Sequence, residues 1–361
     1  MDYEKILEEQ MNNVINPDQA DIISDNAGKV SGGLTDSFTL ENILDATLNG
    51  ESIFNSQEFI DGLKSLILYE IRAALVLGVE ILIICIIIGL LKNLSSSFGK
   101  KSISDISLLV CTMIIIGISI NSFRLAYDLC IDSVTTMVST MEILTPILLG
   151  ILISTGSIAS GTIMSPVVIG AVSGTGIIIK RIILPAMFAA TILVLVNCLT
   201  EKDYVNKLSK LLRNAAVAVT GLILAVLSGI ISVQGLITDA SDGLLINTAK
   251  YSLSTFIPIV GGFTADTAEL FIRCMSTIKS IVGVFGIITL VLVILVPLIK
   301  LLIIALIYKI TAAATEPICA GKISDGLNDM GSCIVSLSAV MFFTALLFII
   351  FISIIVGMGG G

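Results

Sequence analysis

Two charged side chains sit inside long apolar runs, and they are the residues best placed to do chemistry. Glu80 falls near the middle of 73–91, and Lys300 falls inside 281–307. A charge at membrane depth is costly, so it usually turns toward a bundle interior or a water-filled cavity, where it lines a path or couples ion movement. A blander reading stands beside this one. Lys300 can reach water along its own aliphatic stem, and Glu80 can be protonated or hydrogen-bonded at a helix contact. Their spacing does not pair them.

Small and ring-constrained residues form a second group. Gly150, Gly170 and Gly174 belong to a Gly/Ser-rich stretch, and Gly170 and Gly174 make a GxxxG. Small residues let helices approach closely, and the same backbone freedom would suit a gate. Pro146 and Pro258 each interrupt a short apolar segment, the latter followed by Gly261 and Gly262. Glu316 precedes Pro317, which ends a helix, because proline disfavours helical geometry in the residue before it. These ten positions (Glu80, Pro146, Gly150, Gly170, Gly174, Pro258, Gly261, Gly262, Lys300 and Glu316) are the candidate pathway or packing residues.

Catalytic chemistry has little to work with. Histidine, the usual general base and commonest metal ligand, is absent, and none of the seven cysteines forms a CxxC. Walker, GxSxG and HExxH motifs are all missing. The residues therefore name no catalytic, cofactor-binding or metal site. An acidic chain of this kind is also a poor partner for nucleic acid.

The elements that position these residues follow from hydropathy. Residues 1–70 carry fourteen acidic side chains against three lysines, whereas the remainder has repeated apolar runs. The chain is 55% hydrophobic and 13% charged, with mean hydropathy +1.05; a soluble domain has roughly 25% charged residues. The runs 73–91, 106–123, 182–199, 215–237, 281–307 and 333–356 are long enough to cross ~30 Å of hydrocarbon. The runs 143–153 and 164–179 are uncertain. The expected fold is all-α: a polytopic transmembrane bundle of six to eight spans behind an acidic tail of short helices. In that tail 40–48 has helical spacing, 28–33 reads as a loop, and the pattern from Phe59 continues into the first span. Met1–Gln10 lacks the basic and apolar regions of a signal peptide, so export of the tail would use the first apolar run as an internal signal.

Lysine and arginine set the expected orientation. Lys92, Lys100 and Lys101, and then Lys202, Lys207, Lys210 and Arg213, mark cytoplasmic loops, leaving the tail and 124–142 outside. Lys180 and Arg181 fit this scheme poorly. Residues 200–214 read as a basic amphipathic helix lying on an anionic leaflet.

Thr136, Pro146, Ile147 and Gly150 recur 112 residues later as Thr248, Pro258, Ile259 and Gly262, and Pro185 recurs as Pro297. An internal repeat would divide the chain into an extracytoplasmic region 1–72, two spans in 73–123, and membrane units 124–237 and 238–361. Interrupted segments at matching places in two halves often line a pathway.

The run Phe256–Gly262, the Glu316–Pro317 turn, and the acidic tail with 40–50 ahead of many spans together resemble the stage III sporulation protein AE family, over roughly residues 35–357. The resemblance implies a non-enzymatic, permease-like or scaffolding component of the channel between mother cell and forespore. It would sit as a multi-pass protein in the mother-cell-derived membrane around the forespore. Its partners would be the lipid bilayer, other stage III sporulation membrane proteins with their cytoplasmic ATPase, and a forespore channel protein. The alternative is an independent secondary transporter with its site between the two repeats.

Overall fold

The computed structural model describes residues 11, 17–31, 42–43, 56–98, 101–199, 205–256, 261–318 and 321–358. Among these the regular structure is entirely helical. The helices are α1 (Pro17–Ser31), α2 (Ser56–Phe98), α3 (Lys101–Ser154), α4 (Ile158–Ile178), α5 (Leu184–Cys198), α6 (Asn206–Phe256), α7 (Gly261–Thr315) and α8 (Gly321–Gly357), with a π-helical turn at Ile179–Ile183 joining α4 to α5. Among the described residues six helical stretches are long and apolar enough to cross a membrane. Helix is what such sequences must form there, because lipid offers no partner for backbone N–H and C=O groups.

The joins between spans differ from the sequence expectation. The runs 106–123 and 143–153 belong to one helix, α3, which continues through Pro146. The segment between them carries Ala126, Cys130, Val134, Met137 and Met141, and the second run continues with Leu144 and Leu148, all buried. That three-to-four spacing holds one apolar stripe on the core across the whole length. Pro146 lies on the outer face, away from the core. The segment 124–142, expected to be a separate outer stretch, is therefore helical core.

The runs 164–179 and 182–199 likewise form one rod through the π-turn, which holds Lys180 and Arg181. Ile179, Ile183, Leu184 and Met187 keep the buried stripe unbroken. Pro185 follows at once, and a proline ring collides with the carbonyl four residues earlier. The wider π-turn makes room there.

α7 and α8 form an antiparallel central pair. Ser324 Oγ donates to the Ala312 carbonyl at 2.7 Å. At the far end the buried Lys279 ammonium donates to the Met358 carbonyl. α3 runs antiparallel to α7, with Leu144 beside Gly286, and parallel to α8, with the Cys130 thiol 3.9 Å from the Leu337 carbonyl. α2 runs parallel to α7 in a constant register: Glu70 meets Lys300, Gly78 meets Ile307 and Thr311, and Gly89 meets Ile318. α6 runs parallel to α8, with Gly221 beside Phe343 and Gly235 beside Ile354. α3 and α4 fold back on each other at Thr155–Ser157, where Gly156 has φ 94°, a conformation glycine adopts without a Cβ clash.

Two further expectations change. α1 runs through Gly28 to Ser31 where a loop was expected from residue 28; Ala20 and Ile23 are buried in the shared core, and α1 packs on α7 and α3. Residues 206–214 are the opening turns of α6, not a separate helix lying on a surface. Ser209 Oγ donates 2.8 Å to the Ala190 carbonyl, so one face is taken up by α5. The expected short helix at 40–48 lies outside the described residues except for Asn42 and Ile43, which are helical.

Candidate functional site

The bundle's mid-height holds a charged cleft. Glu70 on α2 and Lys300 on α7 form an ion pair at 3.0 Å, their side chains 15% and 30% exposed. The Glu70 end opens into a cleft of about 450 Å³ between α2, α3 and α7. Asn121, Ser122, Arg124, Leu125 and Asp128 of α3 line one side, and Ala73, Ala74 and Leu77 of α2 with Ile304 of α7 line the other. Arg124 Nε lies 3.7 Å from Asp128 Oδ2, and both side chains are more than half exposed. Two small residues, Ala73 and Ala74, leave the gap that larger residues would fill. The cleft thus carries the Glu70 carboxylate and the Arg124–Asp128 pair among its polar lining.

Lys300 therefore has a partner, and it is Glu70 rather than Glu80. Register settles this: Glu80 lies ten residues further along α2, about 15 Å away at 1.5 Å per residue. Glu80 is exposed on the outer face of α2. It stands among the exposed Leu75, Val76, Val79 and Ile83.

The candidate glycines are not gathered into one lining. Gly150 and Pro146 face outward on α3, and a Cβ at Gly150 would meet nothing within 4 Å. Gly170 and Gly174 do not pack against a helix; with Leu222, Ile223, Val226 and Leu227 of α6 they border an apolar cleft of about 380 Å³. The close approaches use other glycines. A Cβ at Gly176 would lie 2.9 Å from Val138, and Gly161 abuts Ile153. Glu316 is exposed in the turn after α7. Pro258 lies outside the described residues, and Gly261 and Gly262 open α7.

Sequence reasoning missed three polar groups. Glu70 sits at the margin of the first apolar run, with no local sign that it faces a lysine 230 residues away. Lys279 is 1% exposed and closes the C-terminal turn of α8, where a cation meets the negative end of the helix dipole. Asp329, buried on α8, draws Lys210 Nζ to 3.7 Å, while Arg213 Nη1 lies 3.5 Å from the Asp329 carbonyl. The basic face at 207–213, read from sequence as lipid-directed, thus spends two of its cations on α8. Among the described residues no cluster of His, Cys, Asp and Glu could hold a metal ion.

The family profile of stage III sporulation protein AE (spore_III_AE) matches residues 38–359. Stage III sporulation protein AE of Bacillus subtilis (strain 168) is 31% identical over 315 residues, covering 86% of this chain and 78% of that protein. No solved structure matches. This chain, whose described residues are helical and include six membrane-length helices, is matched by the profile over 38–359 and belongs to the stage III sporulation protein AE family.

Proposed function

We propose that the protein is a non-enzymatic, permease-like or scaffolding subunit of the channel joining mother cell and forespore during endospore formation. It resides in the mother-cell-derived membrane around the forespore. Its partners are other stage III sporulation membrane proteins, their cytoplasmic ATPase, and a channel protein supplied by the forespore. The observation carrying this reading is the family match across 38–359 on a chain with six membrane-length helices among its described residues. The sequence holds no nucleotide-binding motif, so work done through this subunit comes from a partner or a gradient. Tagged protein captured from sporulating cells should bring stage III partners, the ATPase among them. Saturable solute uptake by the purified protein alone in liposomes would overturn the subunit reading.

One observation favours a second reading, an independent secondary transporter. The cleft of about 450 Å³ has a polar wall and an ion pair at its edge, the kind of place where an intramembrane charge couples to a substrate. On this reading liposome uptake exists and falls sharply on Lys300→Ala.

A further inference from the structure

The register between α2 and α7 places two exposed, oppositely charged residues at one height on opposite sides of the molecule. Glu70 matches Lys300, Gly78 matches Ile307 and Thr311, and Gly89 matches Ile318. By that register Glu80 stands level with Ile310, one residue from Lys309. Both Glu80 and Lys309 are exposed. Among the described residues neither makes an ion pair.

They cannot meet within one copy. Gly78 turns toward α7, and Glu80, two residues on and so about 200° around the helix, points away from it. On α7, Ile307 and Thr311 turn toward α2; Lys309 lies on the far side, where its Cγ comes within 3.0 Å of a Cβ built at Gly331 on α8. The acidic and basic faces look in opposite directions.

Both charges stand in apolar surroundings: Val76, Val79 and Ile83 beside Glu80, and Leu306 and Ile310 beside Lys309, all exposed. Neither lipid nor water suits such a face. The membrane-length stretches of α3, α4–α5 and α7 contain 46, 39 and 45 residues, roughly 60–70 Å of helix at 1.5 Å per residue. The hydrocarbon layer is ~30 Å thick, and an average tilt of ~20° lengthens the crossing only slightly. Lipid therefore covers about half of the bundle. If the Glu80 layer lies in lipid, two charges face hydrocarbon unpaired, which is costly. If it lies outside lipid, an apolar face meets water. A protein partner carrying the opposite charge at the same height relieves both cases, and a second copy of this chain carries one.

We infer that copies of this protein assemble head to tail, with Glu80 of one copy paired to Lys309 of the next across an apolar interface. The interface is heterologous, so it closes into a ring where the rotation between neighbours permits and otherwise propagates as a filament. Charge complementarity fixes the register of such an interface.

The test uses the full chain in its own membranes. Glu80→Cys combined with Lys309→Cys, treated with a bifunctional maleimide, should give a ladder extending beyond the dimer. Wild type and each single variant set the background from the seven native cysteines. In mass photometry of the detergent-extracted protein, Glu80→Lys and Lys309→Glu should each shift most of the assembly to monomer, and the combined swap should restore it. Recovery by the double variant separates a lost contact from a lost fold. A monomeric wild type, a cross-linked dimer from Glu80→Cys alone as strong as that from the double-cysteine variant, cross-linking of that cysteine to a different protein, or a double swap that stays monomeric would each overturn the inference.

Discussion

At the scale of single residues, the Glu70–Lys300 pair is the most consequential polar contact. Both side chains are largely withdrawn from solvent, so each is tolerable mainly because the other is there. Removing one partner of a buried pair costs about 3–5 kcal/mol, whereas replacing both with apolar groups of similar size is often near neutral. Exposure of Lys300 to 30% moves the expected cost of Lys300→Met to about 2 kcal/mol. Thermal unfolding in detergent should show that loss, and Glu70→Leu combined with Lys300→Met should recover most of it. A double variant as unstable as the sum of the singles would mean that the two residues act separately. Lys300 was legible as an intramembrane charge because it interrupts a long apolar run. Glu70 was not, because it lies at a run's edge and its partner is fixed by tertiary register, which no local pattern encodes. Lys279 was invisible for the same reason: it is polar in sequence, and only the return of α8 buries it.

At the scale of elements, the sequence revealed the apolar runs and hid how they join. Pro146 read as an interruption, and Pro185 lay inside one expected span whose join to 164–179 was uncertain. The structure carries the helix past both, because the buried stripe through Cys130, Val134 and Met141 in one case, and through Ile179, Ile183 and Met187 in the other, continues on either side. A hydropathy window weighs total apolarity, so it undervalued 124–142, where buried residues alternate with Arg124, Asp128 and Asp132. Periodicity carried the information that averaging lost. The glycines were misjudged in the same way. Gly170 and Gly174 have the packing motif, yet Gly331 has the packing role: a Cβ there would lie 3.0 Å from the Ala305 carbonyl oxygen and 3.2 Å from Tyr308 Cβ. Gly331→Val should force α7 and α8 apart and cost about 2 kcal/mol or more. Gly150→Ala, on an open face, should be neutral or stabilising by about 0.5–1 kcal/mol through helix propensity. Melting temperatures of the two variants, measured side by side, check the contrast. Equal effects would show that the α7–α8 contact has no special closeness.

At the scale of the whole molecule, the basic segments gather at one end. α2 closes toward Lys92 where Gly89 meets Ile318, and Asn206, Lys322, Asp325 and Asp329 border a common pocket with Cys198. Lys279 and Met358 mark the opposite end. By the positive-inside rule the first end is expected to face the cytoplasm. A membrane-impermeant maleimide on intact cells should therefore label Ser31→Cys and spare Lys207→Cys until the membrane is opened; the reverse pattern would invert the topology. The all-helical, multi-pass character was readable from composition, since so much apolar surface leaves lipid as its main solvent. Membership of a sporulation family was readable only through the resemblance of particular segments, because no sequence motif names a role. The most direct measurement is the count of heat-resistant spores from the organism that encodes this chain, after deletion of its gene. Under the proposed function, arrest after engulfment begins, a steep fall in heat-resistant spores, and recovery on return of the wild-type chain are expected. A deletion strain that forms such spores at the parental level would contradict it.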